Sequence, residues 1–297
     1  MVLVAGLSFP FWWVLLEKCL NLLVPPSLKR KQLKNFRRNR VERPHCQNVF
    51  ASTESPRKMF TVPAQRTVLI EAVLPAAAIT TCYALLARFP GKFSTASRTH
   101  CDDFGVRNAL PSVSAVVSLD PYKYIWRVSV AISVFLGIAN GWLHYAWAAH
   151  QKSKWWARCR LAAHGLEKTG LLLLTMISSE EWMMGHTISF ALFASAALAN
   201  VALSAIVVYP ASSPLWSTGH EACRRYLCFR RLAGAQLTLL LVACFVYFAH
   251  NTACYRNVYS LFALLELGFV MCNILTHLCI NGVVADALLV SLCAYRL

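Results

Sequence analysis

The chain has 297 residues, 57% of them apolar and 14% charged, with 29 Lys and Arg against 13 Asp and Glu. Soluble domains carry about 25% charged residues, so this composition, with a mean hydropathy of +0.49, excludes a soluble globular protein and points to membrane. The net charge of +16 is gathered in a tail and two short loops with no base-stacking motif beside it, which argues against nucleic acid as a partner.

Residues 1–26 are apolar but broken by Pro10 and by Glu17–Lys18. The basic run Lys29-Arg30-Lys31 follows the apolar part, so the segment reads equally as a signal anchor, or as an interfacial helix or an extension unrelated to the working domain. Residues 27–66 are polar, basic and without apolar periodicity, the pattern of a disordered linker. Residues 67–279 then hold six apolar runs, near 68–88, 124–149, 161–178, 187–209, 233–249 and 258–279. A hydrocarbon core of about 30 Å needs roughly 20 helical residues. Backbone groups inside it must bond within their own helix. The expected fold is therefore all-α, a six-transmembrane-helix bundle with an additional N-terminal apolar helix if 1–26 also crosses. Residues 280–297 read as a short interfacial tail around Asp286.

Basic residues set the sidedness. Residues 1–67 carry twelve Lys or Arg against Glu17, Glu42 and Glu54; Lys152, Lys154, Arg158, Arg160 and Arg224, Arg225, Arg230, Arg231 fill two loops. The opposite loops hold Lys92, Arg98, Arg107, Lys123 and Arg256. This bias puts the N-terminal linker in the cytosol, where it suits a protein partner at anionic lipid. Among the cysteines, Cys101 and Cys254 then face an oxidising compartment and are expected to pair.

Polar residues inside the spans follow helical spacing. Glu266, Asn273 and His277 share one face of the last span; Asn140 and His144 share one of the second; His164 and Glu167 share one of the third. A polar seam between spans two, three and six would satisfy them, and Lys168 is expected to snorkel away from it. A second polar set faces the lumen. Tyr124 and Trp126 suit an interfacial belt and Arg127 a phosphate, giving a candidate headgroup site. Glu180 or Glu181 with His186, and His250 further on, are candidate acid–base groups for acyl transfer. No serine elbow, zinc-protease motif or Gly-rich phosphate loop occurs, and neither a cofactor nor a metal is expected.

The ordered details Thr99-His100-Cys101, Asn108-Ala109-Leu110-Pro111-Ser112-Val113-Ser114, Tyr124-Ile125-Trp126-Arg127, His144-Tyr145 and Ser178-Ser179-Glu180 form a series. It continues with Tyr247-Phe248-Ala249-His250-Asn251-Thr252-Ala253-Cys254, then Glu266, Asn273 and His277. Together they resemble the Frag/DRAM/Sfk membrane proteins, and within them the members that remodel GPI-anchor lipid. The resemblance implies a six-span protein of Golgi or endoplasmic reticulum membranes that acts with GPI-anchored proteins. It implies a part in returning a saturated fatty acid to lyso-GPI, as acyltransferase or as accessory subunit, with an unassigned acyl donor. A different class remains beside it: a non-enzymatic lipid-sensing scaffold, as in the autophagy and phosphoinositide members of the same family.

Overall fold

The computed structural model describes residues 64–151, 154–208 and 220–294. The N-terminal apolar segment, nearly all of the basic linker, Lys152 and residues 209–219 of the second basic loop lie outside these. The described residues form helices joined by turns, with no strand among them. In chain order they are α1 (Ala64–Ala87), α2 (Pro90–Ala96), a 3-10 turn (His100–Phe104), α3 (Val113–Ser118), α4 (Tyr122–Gln151), α5 (Lys154–Met176), α6 (Met183–Val207), α7 (His220–Ala253) and α8 (Val258–Ala294).

Among the described residues, five helices are long and apolar enough to cross a membrane, in α1, α4, α6, α7 and α8. The helix α5 is 23 residues long but fails that test of composition, because it carries Lys154, Arg158, Arg160, Glu167 and Lys168. Three of those charges do not face outward: Arg160, Glu167 and Lys168 are all buried. Hydropathy along the chain cannot tell a solvated charge from one hidden between helices. The outward faces are apolar instead. On α4, Val128, Ile132, Phe135, Ile138 and Trp142 are exposed at near-helical spacing, the pattern of a lipid-facing stripe.

The helix α5 packs against α4 and α6, α1 against α4, and α8 against α7 and α1, with α8 also touching α4 and α6. This makes α8 the central rod: 56% of its span is buried, against 22% for α7. It also continues without a break to Ala294, past the expected end near 279.

Two local features adjust the bundle. Pro75 lies inside α1 and has no N–H to give the carbonyl of Glu71. The Ser133 hydroxyl of α4 donates to that carbonyl instead, at 2.7 Å, so no backbone acceptor is stranded. Gly170 of α5 lies against the backbone of α6, where an added Cβ would stand 2.7 Å from the Phe193 nitrogen. Small residues at helix crossings permit this approach. The variant Gly170→Ala is expected to force the two helices apart at about 1–3 kcal/mol, read as a lower melting temperature of the purified chain in detergent; an unchanged melt would show that the crossing has slack.

The segment between α1 and α4 folds over one end of the bundle. Ser112 caps α3 by accepting from Ala115 N at 3.1 Å. Ser260 Oγ accepts from the N–H groups of Ala109 and Leu110 at 2.9 and 3.3 Å, and Tyr83 Oη donates to the Pro111 carbonyl at 3.0 Å. Glu266 of α8 accepts from Val113 N at 2.7 Å, Ser114 N at 3.3 Å and Ser114 Oγ at 2.6 Å. A carboxylate there satisfies the orphan N–H groups of α3, so Glu266 fastens the loop to the bundle rather than joining the deeper seam.

Candidate functional site

The helix α5 presents Arg160, His164, Glu167 and Lys168 at spacings of four, seven and eight residues, so they share one broad side of the rod. All four are buried, and each is met by a neighbouring helix. Lys168 Nζ donates to Glu71 Oε1 of α1 at 2.7 Å. Glu71 Oε2 accepts from Asn140 of α4 at 2.7 Å and from Asn281 of α8 at 3.3 Å. Glu167 Oε1 accepts from His277 Nε2 at 2.6 Å and from Asn273 at 3.0 Å, both on α8. Its other oxygen accepts from Asn200 of α6 at 2.7 Å. His164 Nε2 donates to the Gly137 carbonyl at 2.9 Å. Arg160 donates to Ser204 Oγ and to His144 Nδ1, both at 2.8 Å.

Of the six seam residues expected from spacing, Asn140 joins the Lys168–Glu71 group, and Glu167, Asn273 and His277 form a neighbouring group with Asn200. His144 pairs with Arg160, and Glu266 stands apart on the α3 loop. Lys168 does not snorkel. It is 4% exposed and ion-paired, and its stem passes over Gly137, where an added Cβ would lie 2.5 Å from Lys168 Cε. Sequence reasoning missed Glu71, Arg160, Asn200 and Ser204. Glu71 had the same signal as Glu167, a carboxylate inside an apolar run.

A cavity lies along α8 between the network and the α3 loop. Leu171, Leu174, Phe190, Phe193 and Val270 give it apolar walls. Ser114, Glu266, Trp126 and His186 line it towards the loop; Glu71, Lys168, His277 and Asn281 line it at the far end. Along α8, Glu266 and His277 are eleven residues apart, roughly 16 Å at 1.5 Å rise per residue. Two histidines thus face one cavity, each with one nitrogen committed. His186 Nδ1 lies 2.8 Å from the Ile177 carbonyl. A carbonyl only accepts, so Nδ1 carries the proton and Nε2 is left with its lone pair. His277 uses Nε2 on Glu167, and its Nδ1 has no partner among the described residues.

The other candidates of the second polar set have separate places. Arg127 donates to the Thr175 and Met176 carbonyls at 3.3 and 2.8 Å and to Glu181 Oε2 at 2.7 Å, so its fork closes the C-terminus of α5. Glu181 pairs with Arg127 and Ser178, not with His186. Glu180 is exposed; Tyr124 is exposed and Trp126 is buried against Val113 and Val130. His250 sits outside the cavity, with Nε2 3.2 Å from Thr99 Oγ1. Beside it Cys101 and Cys254 are joined as a disulfide, their Cα atoms 5.4 Å apart.

Hydrogen bonds from the Ser178 N–H and hydroxyl, then the Arg127 guanidinium, hold the Glu181 carboxyl below the usual carboxylate range. A depressed pKa adds stability above the unfolded value, about 4.3 for glutamate, and loses it as pH falls through the folded value. The gap in Tm between the chain and Glu181→Gln is therefore expected to be constant from pH 7 to about 5 and to close at more acid pH. A gap that persists below the carboxyl titration would assign it to something other than the carboxylate.

Long apolar helices around a chambered polar interior define a multi-pass membrane protein. Residues 64–281 match the Frag1/DRAM/Sfk1/Cwh43P N-terminal domain, and the chain belongs to that family. It is 28% identical over 231 residues to the post-GPI attachment to proteins factor 2 of Caenorhabditis elegans, covering 74% of this chain and 84% of that one. It is 30% identical over 234 residues to the protein of the same name from Caenorhabditis briggsae, with the same coverage. To a Xenopus tropicalis protein named acyltransferase PGAP2 it is 32% identical over 200 residues, 63% of this chain and 74% of that one. No solved structure matches. These likenesses support a role in GPI-anchor remodelling.

Proposed function

We propose that the protein restores a saturated fatty acid to lyso-GPI at the lumenal side of Golgi or endoplasmic reticulum membranes. The observation that carries this is the cavity: Leu171, Leu174, Phe190, Phe193 and Val270 wall it between Glu266 and His277, which stand roughly 16 Å apart along α8, with an oriented histidine at the loop end and the Glu71–Lys168 ion pair at the floor. One leaflet of a 30 Å core is about 15 Å deep, so a chain laid along this wall lies stretched, as saturated chains do. Glu71, Lys168, His277 and Asn281 make a polar floor that a methyl terminus does not cross.

In this reading α5 is a sixth crossing whose charges are neutralised inside the bundle, and the N-terminal linker and basic loops lie in the cytosol. The disulfide end then faces the oxidising lumen, in agreement with the basic-residue bias. His186 is the base. Its Nε2 takes the proton of the free glycerol hydroxyl, and that oxygen attacks the carbonyl of an acyl ester donor. The bond to the donor's alcohol or thiol breaks, and the leaving group takes the proton from His186.

In cells deprived of the protein, GPI-anchored proteins are expected to carry lyso lipid and to be shed from the surface; mass spectrometry of the anchors reads this directly. Anchors with a normal complement of saturated chains in such cells would contradict the assignment.

A further inference from the structure

The end of the bundle opposite the ion pairs holds a second cluster that reacylation does not use. The 3-10 turn brings His100 and Cys101 against His250 and Cys254 at the close of α7. His100 Nε2 lies 3.4 Å from Cys101 Sγ and 3.7 Å from Cys254 Sγ. His250 Nδ1 lies 4.0 Å from Cys101 Sγ. The ligand atoms of His100, Cys101 and His250 fall within 4.8 Å of one another. A tetrahedral zinc with bonds of about 2.3 Å to sulfur and 2.0–2.1 Å to nitrogen requires sulfur–nitrogen separations near 3.6 Å. The three present bracket that value. Cys254 Sγ lies outside that group, so it has to leave Cys101 and approach His250 to complete the tetrahedron.

We propose that reduction of the Cys101–Cys254 bond converts this cluster into a two-cysteine, two-histidine Zn2+ site, so that disulfide and metal are alternative cross-links between the same two segments. A dithiol or phosphine reductant supplies two electrons and is itself oxidised. The S–S bond breaks to two thiols, and each thiol releases its proton as it binds the metal. Two thiolates, two neutral imidazoles and Zn2+ sum to zero charge, which suits a site where Cys101 and His250 are buried. Supports around the ligands are in place. His250 Nε2 meets Thr99 Oγ1 at 3.2 Å, and its ring packs on Tyr259 at 5.1 Å. Tyr259 Oη in turn donates to Ser112 at 3.0 Å. Such partners fix the ring orientation of metal-bound histidines. His100 is exposed and leaves an entry path from the aqueous side.

The proposal is independent of the acyl-transfer reading, and its test does not use activity. The full chain, purified in detergent, is divided into untreated and phosphine-reduced portions, exposed to Zn2+, desalted and assayed for bound metal. The variant His100→Ala, taken through the same two treatments, separates this cluster from the remaining thiols. About one additional zinc per chain is expected on reduction, and Co2+ in its place is expected to give tetrahedral thiolate absorption bands. The variant His100→Ala keeps the disulfide, folds in the oxidised form, and is expected to lose zinc affinity on reduction by at least about 10-fold. Equal zinc in both portions, no zinc in a reduced chain that stays folded, or unchanged affinity in His100→Ala would each overturn it.

Discussion

Replacing Lys168 with methionine is expected to destabilise the bundle by about 3–5 kcal/mol. The loss does not measure the strength of the ion pair. It arises because Glu71, 4% exposed, would keep a carboxylate inside hydrocarbon with only Asn140 and Asn281 to answer it. Adding Glu71→Gln removes that charge while the amide still accepts from Asn140, so the double variant is expected to recover most of the loss. Thermal unfolding of the four proteins of this cycle in one detergent reads the coupling. Additive losses would mean that the two side chains do not share a buried charge balance, and the floor of the cavity would have to be redrawn.

The largest expected effect on activity is at His186. Removing a positioned base lowers acyl transfer by roughly 100- to 10,000-fold. His186→Ala costs the fold little beyond the hydrogen bond to Ile177, about 1 kcal/mol. Transfer measured on the purified variant, alongside a melt showing that it is folded, is the test. Full activity in a folded His186→Ala chain would remove His186 from the chemistry.

The helices were readable because length and hydropathy are properties of the chain alone. The apolar runs near 124–149 and 187–209 sit on Tyr122–Gln151 and Met183–Val207. The third run began too late: α5 starts at Lys154, and its basic first turns carry the helix beyond the apolar window. Faces were readable where one helix decides them, as for His164 with Glu167 or Asn273 with His277. Partnerships across helices were not, since they depend on how each rod is rotated in the bundle. Lys168 shows why. It follows Glu167 by one residue, about 100° around the helix, which turns it from α8 and α6 towards α1. A helix surrounded on several sides has more than one inner face, and a single seam could not represent that. Glu181 taught the same lesson in a loop: sequence proximity suggested His186, while the nearest cation in space was Arg127 of α4.

The most direct measurement is acyl transfer by the purified chain in lipid nanodiscs, given lyso-GPI and a saturated acyl donor as thioester or as phospholipid. The account predicts a saturated chain on the glycerol hydroxyl with at least one of the donors, and its loss in His186→Ala. A folded chain that binds lyso-GPI yet transfers nothing from either donor would contradict it.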